Sequence, residues 1–149
     1  MKLPILTDGL VLPVSHQLIE LLNDELDKVY PTLDPLSGTE TIVFNFRDPD
    51  YSAELGGYHP VEIGLSRHQS GFELDYLTDF SFVGSGWDTE LAKEIDFDVH
   101  ADICTVRYAK PVSLIEAKEL FNIFQENFIS YYHLNVFNVE VTAEKIDER

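Results

Sequence analysis

The sequence predicts an α+β fold, in which an antiparallel sheet of about five strands carries two helices on one face. Three observations lead to this class. Apolar residues recur at helical spacing in two segments, they alternate with polar residues through most of the remainder, and the alternating segments are joined by short links. Runs of strands combined with helices in this way are typical of α+β proteins. A length of 149 residues fits a single domain, residues 1–149.

Both predicted helices have a start signal. Ser15 can cap the first helix, which carries a stripe of leucines at 18, 22 and 26 and ends before Pro31. The sequence SLIE at 113–116 is a capping box for the second helix, with Ser113 as N-cap and Glu116 at its third position. The apolar stripe of this helix consists of Ala117, Leu120, Phe121, Phe124 and Phe128.

Alternation predicts the strands. The longest alternating segment is GFELDYLTDFSFVG, at 71–84. Its buried face is expected to hold Phe72, Leu74, Tyr76, Phe80 and Phe82, and its wet face Glu73, Asp75, Asp79 and Ser81. Residues up to Lys93 are expected to form a short helical turn, and residues 143–149 a frayed tail. The wet face of the sheet is therefore expected to carry much of the acid.

The chain is strongly acidic, with 27 Asp and Glu against 10 Lys and Arg and a net charge of −17. This balance argues against direct binding to nucleic acid phosphates or to an anionic membrane. Excess charges spread evenly over the surface would lie farther apart than the Debye length and would mainly confer solubility. Only local clustering would give the charge a function.

Compartment and membrane association follow from the apolar segments and the cysteine content. Cys104 is the single cysteine, so no intramolecular disulfide can form, and a cytoplasmic protein is expected. Pro4, Asp8, Gly9 and Pro13 interrupt the apolar N-terminal segment, which favours an extended arm over a signal peptide. No apolar run reaches the roughly 20 residues of a membrane-spanning helix.

The stretch NFRDPDYSAELGGYHPVEI, residues 45–63, is the main candidate for a site. Turn chemistry alone explains Pro49 and the Gly56-Gly57 pair. A ligand site is the alternative, because a polar and aromatic loop on a rigid sheet often binds ligands. The candidate ligand-binding residues are Arg47, Asp48, Tyr51, Glu54, His59 and Glu62.

No motif specifies a metal, a cofactor or a catalytic group. Acids of the candidate loop together with His59 match neither an EF-hand nor a His-Glu-x-x-His helix. Asp96, Asp98 and His100 would project from one face of a strand and are weak metal candidates.

Trp87, between glycines and polar residues, is a candidate anchor for a protein partner, as is the acidic face of the sheet.

The segments FNFRDPDYSAELGGYHPVEI, YLTDFSFVG, IDFDV and AKELFNIFQENFISYYHL occur in this order. With them the chain resembles a bacterial family known only as a domain of unknown function, number 2787. The resemblance covers the chain from about the first helix to the last strand. It implies a small α+β protein and brings no activity, so it assigns no catalytic residue.

Three functions therefore stay open at this point. The missing catalytic motif favours a non-catalytic binding or regulatory module. A small hydrolase-type or metal-assisted enzyme would use residues 47–62, provided that Arg47, Glu54 and His59 meet. An acidic DNA mimic would need a dense row of acids, and Asp75, Asp79, Asp96 and Asp98 are the candidates for the start of such a row.

Overall fold

The computed structural model, which describes residues 3–32 and 34–145, contains two helices and one large sheet of eight strands. The helices are α1 (His16–Val29) and α2 (Lys118–His133). The strands are β1 (Ile5–Leu6), β2 (Thr39–Arg47), β3 (Val61–His68), β4 (Gly71–Val83), β5 (Glu90–Asp98), β6 (Ile103–Val106), β7 (Val112–Ser113) and β8 (Asn138–Lys145). Short 3-10 turns occupy Asp34–Leu36 and Gly86–Asp88.

Neighbouring strands run antiparallel in the order β7-β6-β5-β4-β3-β2-β8. β1 is the exception, since it pairs in parallel with the first residues of β4. The α+β class with two helices and an antiparallel sheet is thus confirmed, but the expected number of about five strands is wrong. β1 and β7 have two residues each, which is too short for alternation to reveal them.

One face of the sheet, here called the inner face, packs with both helices into a common core. A buried row crosses this face through Phe44, Ile63, Leu77, Phe97 and Cys104. α2 packs on the row with edge-to-face ring contacts, such as Phe97 to Phe121 at 5.1 Å between centroids. Full burial of each such side chain contributes about 1.5–3 kcal/mol.

Two β-bulges change which side chains of β4 and β5 face the core. Gly64 pairs with Tyr76 but Leu65 with Leu74, so Asp75 is an extra residue in β4. Asp79 pairs with Ile95 but Phe80 with Lys93, so Glu94 is an extra residue in β5.

The first bulge overturns part of the predicted alternation in β4. Beyond it, Leu77, Asp79 and Ser81 are buried, whereas Tyr76 and Phe80 border a groove on the outer face. The expectation that Asp79 and Ser81 lie on the wet face is wrong, as is the expectation of a buried row through Tyr76 and Phe80. One extra residue moves every following side chain to the opposite face.

The predicted start of α1 is confirmed and that of α2 is corrected. The Ser15 side chain accepts a hydrogen bond from the Leu18 backbone N–H at 3.1 Å. Ser113 likewise accepts from the Glu116 N–H at 3.3 Å, but residues 114–117 form a turn and α2 begins at Lys118. Ser113 also pairs with Ile103 as the last residue of β7.

Two smaller expectations also change. Residues 90–93 extend β5 instead of forming a helical turn, because they pair with the end of β4. Residues 143–145 belong to β8, while 146–149 of the expected tail, and residues 1–2 of the expected arm, lie outside the described residues. Neither described helix is long and apolar enough to cross a membrane.

Candidate functional site

A single carboxylate interrupts an apolar row on the inner face. The row consists of Val139, Phe46, Val61, Asp79, Ile95 and Val106, each paired with the next across the sheet. Asp79 is only 5% exposed. Burial of a carboxylate is costly unless hydrogen bonds compensate for lost water. One oxygen, Oδ1, accepts from the Ile95 backbone N–H at 2.8 Å.

His59 and Glu94 meet Asp79 at this point. His59 Nδ1 lies 3.1 Å from Asp79 Oδ2 and 3.0 Å from Glu94 Oε2, and the three atoms are all within 4.8 Å of one another. The bulge in β5 places Glu94 beside Asp79. We call His59, Asp79 and Glu94 the acid–histidine cluster.

The loop between β2 and β3, residues 48–60, brings His59 to the cluster. The next residue, Pro60, accepts a hydrogen bond from the Phe80 backbone N–H at 3.0 Å, which ties the end of the loop to β4. The Tyr51 ring lies 5.4 Å from the His59 ring and stacks at 5.0 Å on Phe82. The Tyr51 ring and the anchored Pro60 therefore limit the movement of the imidazole.

The cluster carries excess negative charge. The hydrogen bond to Asp79 raises the pKa of His59, and the charge of Glu94 adds to this against the opposing effect of partial burial. No Lys or Arg of the described residues forms an ion pair with either carboxylate. Two carboxylates and one imidazolium give a net charge of −1, and deprotonation of His59 makes it −2.

A pocket of about 380 Å³ opens beside the cluster, between α2 and the β2–β3 loop. We call it the helix–loop pocket. The acid–histidine cluster forms its polar end, and Asn127 lies on its α2 side. Its aromatic side chains are Tyr58, Phe124, Phe128, Tyr131 and Phe137. Tyr58 and Tyr131 link the loop to α2 with 4.7 Å between ring centroids.

The six candidate residues of the loop do not converge on one site. His59 lines the pocket, and the Tyr51 ring packs beside the His59 ring. Asp48 instead holds the loop together, because its carboxylate accepts from the Asp50 N–H at 2.9 Å and the Tyr58 N–H at 3.0 Å. Turn chemistry thus accounts for Asp48, as the structural interpretation of the loop expects.

The other three candidates lie away from the pocket. Arg47 and Glu54 are exposed, and within the described residues their side chains form no hydrogen bond or ion pair. Glu62 lies on the outer face, where it accepts from the Tyr76 hydroxyl at 2.5 Å. The structure therefore shows no contact that joins Arg47, Glu54 and His59 into an acid–base site.

The outer face carries acids, which among the described residues do not come together as a group of three that could hold a metal. Asp96, Asp98 and His100 border an open groove, in which Asp96 accepts from the Thr78 hydroxyl at 2.6 Å. Among the described residues, the acid–histidine cluster is the group of three such side chains that comes together closely enough to hold a metal. An acidic row through Asp79 is also ruled out, since Asp79 is buried on the inner face.

Trp87 is fully exposed at the tip of the link between β4 and β5. That exposure is compatible with an anchor for a protein partner. A partner at Trp87 or at the acidic outer face stays a prediction.

Sequence reasoning missed Asp79 and Glu94 as site residues. The available signal is the spacing of Leu74 and Leu77, which are three apart and both buried. Such spacing breaks strict alternation and indicates a bulge between them. Recognition of that bulge would have moved Asp79 to the inner face.

This fold and pocket define a small acidic α+β protein with a histidine and two carboxylates at the end of an aromatic cavity. The chain belongs to the family described as "Protein of unknown function (DUF2787)", whose model matches residues 16–142. The resemblance found in the sequence is thereby confirmed. No curated protein matches the chain.

Two solved structures from Vibrio cholerae have the same fold. The hypothetical protein VC0508 from the VSP-II pathogenicity island has a TM-score of 0.86 and 32% identity, covering 96% of this chain and 100% of that protein. The conserved hypothetical protein VC1805 from pathogenicity island VPI-2 has a TM-score of 0.78 and 30% identity, covering 93% and 100%. VC1805 is described as sharing structural homology with the human P32 protein.

Proposed function

We propose that this protein is a binding module for a small ligand, which occupies the helix–loop pocket. The observation that carries the proposal is the buried carboxylate of Asp79 at the end of an aromatic cavity. Its neighbours across the sheet, Val61 and Ile95, are apolar. An apolar side chain at this position would avoid the cost of burying a charge. Departures from the local pattern of a fold are expected at functional sites.

The size and composition of the pocket fit a small organic ligand. Its volume of about 380 Å³ lies within the range of roughly 300–1,000 Å³ for small-molecule sites. The aromatic side chains of the lining offer contact area, and the charged groups of the acid–histidine cluster can fix orientation. The proposed ligand therefore has an apolar part and a positively charged or hydrogen-bond-donating end.

The lining of the pocket includes no serine, cysteine or lysine, and its ionisable side chains are the acid–histidine cluster, Tyr58 and Tyr131. The alternative of an enzyme that uses residues 47–62 retains only His59 of its three required side chains. We therefore place the binding function first.

A fragment screen by NMR on the isotope-labelled protein tests this proposal. We expect small aromatic amines to perturb amide signals of residues 57–61 and 124–131. Asn127→Trp should fill the pocket and abolish these perturbations, because Asn127 is an exposed residue at its border. Asn122→Trp is the matched control, since Asn122 is exposed on the same helix and does not line the pocket.

The wild-type protein and Asn122→Trp should bind the same fragments. The proposal is contradicted if fragments leave these signals unchanged, or if Asn127→Trp binds them as well as Asn122→Trp does.

A further inference from the structure

We infer that His59, Asp79 and Glu94 bind a divalent first-row transition metal ion at the polar end of the helix–loop pocket. The inference rests on the proposed function, because it names what occupies one end of the same site. It differs from the metal candidates Asp96, Asp98 and His100 of the sequence, which lie on the opposite face.

Two of the three distances between ligand atoms in the cluster are close to those of a metal coordination shell, and all three are within 4.8 Å. His59 Nδ1 is 3.1 Å from Asp79 Oδ2 and 3.0 Å from Glu94 Oε2. Bonds from zinc to imidazole nitrogen and carboxylate oxygen are about 2.0–2.2 Å long, so neighbouring ligand atoms of a tetrahedral ion lie about 3.3–3.6 Å apart, a few tenths of an ångström more than these two distances. The three side chains can therefore close on one ion with little movement.

The charge of the cluster favours a cation. Two carboxylates face one imidazole, and no Lys or Arg of the described residues pairs with them. With neutral His59, a divalent ion would bring the net charge of the site to zero. Buried charges in proteins are paired with an opposite charge or coordinate a metal.

Neighbouring groups orient the three ligands before any ion binds. The Ile95 N–H holds Asp79 Oδ1 and leaves Oδ2 directed toward His59. Tyr51 packs beside the imidazole, and Pro60 is tied to β4. Such outer interactions fix ligand orientation and increase metal affinity.

One side of the cluster stays open to the pocket. Three protein ligands leave at least one position of a four-coordinate ion for water or a bound molecule. The side chains of His59 and Glu94 are about one third exposed, at 37% and 35%, whereas the side chain of Asp79 is nearly buried, at 7%. An ion held here can contact a ligand in the helix–loop pocket directly.

The donor atoms select the kind of metal. An imidazole nitrogen with carboxylate oxygens suits Zn²⁺, and also Mn²⁺ and Fe²⁺, better than Ca²⁺ or Mg²⁺. Zn²⁺ is the most suitable probe, because it binds such sites more tightly than Mn²⁺ does.

Isothermal titration of the chelator-treated protein with ZnCl₂ tests the inference. We expect the wild type to bind one Zn²⁺ per chain at this site. Glu94→Gln should weaken this binding at least about tenfold. This variant keeps the buried Asp79 in place and should fold, which circular dichroism can verify. Asp96→Asn removes a carboxylate from the outer face and should leave the affinity unchanged.

The inference is overturned if the wild type binds no Zn²⁺, if Glu94→Gln binds it equally well, or if Asp96→Asn alone loses it. Failure of the two proposals can be distinguished. Fragments that enter the pocket of a protein without Zn²⁺ affinity overturn the metal site only. Binding of Zn²⁺ at the cluster without fragments in the pocket overturns the organic ligand only.

Discussion

The carboxylate residue Asp79 lies in the sheet between two apolar neighbours, Val61 on β3 and Ile95 on β5. Both of its oxygens have partners, Ile95 N–H at Oδ1 and His59 at Oδ2. These partners explain how the charge is tolerated. A buried ion pair is often no more stabilising than well-packed apolar side chains of similar volume, which is why we assign this charge to ligand binding.

Replacement of Asp79 by alanine should destabilise the protein. Asp79→Ala leaves the Ile95 N–H without its acceptor, and an unsatisfied buried donor costs about 1–3 kcal/mol. Asp79→Asn keeps an acceptor oxygen and should lose less. Urea unfolding of both variants measures the difference. Equal stability of Asp79→Ala and the wild type would show that this hydrogen bond does not support the bulge.

Ionisation of the outer-face residue Asp75 should lower the stability of the protein, whereas ionisation of a salt-bridged acid raises it. Burial raises the pKa of Asp75 above its ordinary value of 3.8, and the charge of Asp98 adds to this. The ionised group therefore opposes folding at neutral pH, and this penalty disappears as the pH falls below the ordinary value.

We expect Asp75→Asn to raise the melting temperature slightly at pH 7, because it removes the partly buried charge. Near pH 3.5 the difference from wild type should shrink. Asp88→Asn, in an exposed turn, controls for the general loss of one negative charge. A stabilisation that is as large at pH 3.5 as at pH 7 would contradict this account of Asp75.

The sequence located one residue of the site and missed its partners for a simple reason. His59 stands out in a loop rich in polar and aromatic side chains. Asp79 and Glu94 follow it by 20 and 35 positions, so no local spacing relates them. Their meeting depends on the pairing of β4 with β5 and on the end of the loop.

At the scale of elements, the bulges decide which side chains reach the site. The extra residue Asp75 brings Asp79 to the inner face, and the extra residue Glu94 adds a second carboxylate. Alternation predicted that a strand exists at 71–84 but assigned its second half to the wrong faces. An inserted residue reverses the alternation, so the faces assigned before a bulge are wrong for the residues after it.

Gly64 should be essential to the first bulge. A side chain there would meet the Tyr76 ring of the paired strand, which is also held by its hydrogen bond to Glu62. We expect Gly64→Ala to lower the free energy of unfolding by about 1–3 kcal/mol, as overpacking commonly does.

A double-mutant cycle isolates this contact. In a Tyr76→Ala background the cost of Gly64→Ala should be clearly smaller, because the ring is gone. Chemical unfolding of the four proteins supplies the comparison. If Gly64→Ala lowers the free energy of unfolding equally in both backgrounds, the glycine is required by the backbone conformation and not by contact with the Tyr76 ring.

At the scale of the whole molecule, the fold class could be predicted from the sequence, but the order of the strands in the sheet could not. Periodicity indicated helices and strands, and hence α+β. It did not show that β8 pairs with β2, from the other end of the chain, because strand order depends on distant pairings. The short strands β1 and β7 complete the sheet without any alternating pattern of their own.

The overall charge also bears on the site. A net charge of −17 gives the protein a negative potential that raises the local concentration of cations. The excess negative charge at the helix–loop pocket has the same sign, so both effects favour a positively charged ligand or ion. The acidic outer face contributes to this potential without forming the metal cluster itself.

X-ray diffraction from crystals soaked in Zn²⁺, with data collected at the zinc absorption edge, tests the central claim most directly. We expect one anomalous peak about 2.0–2.2 Å from His59 Nδ1 and from a carboxylate oxygen of both Asp79 and Glu94. A peak at Asp96, Asp98 and His100, or no peak at the acid–histidine cluster, would contradict the claim.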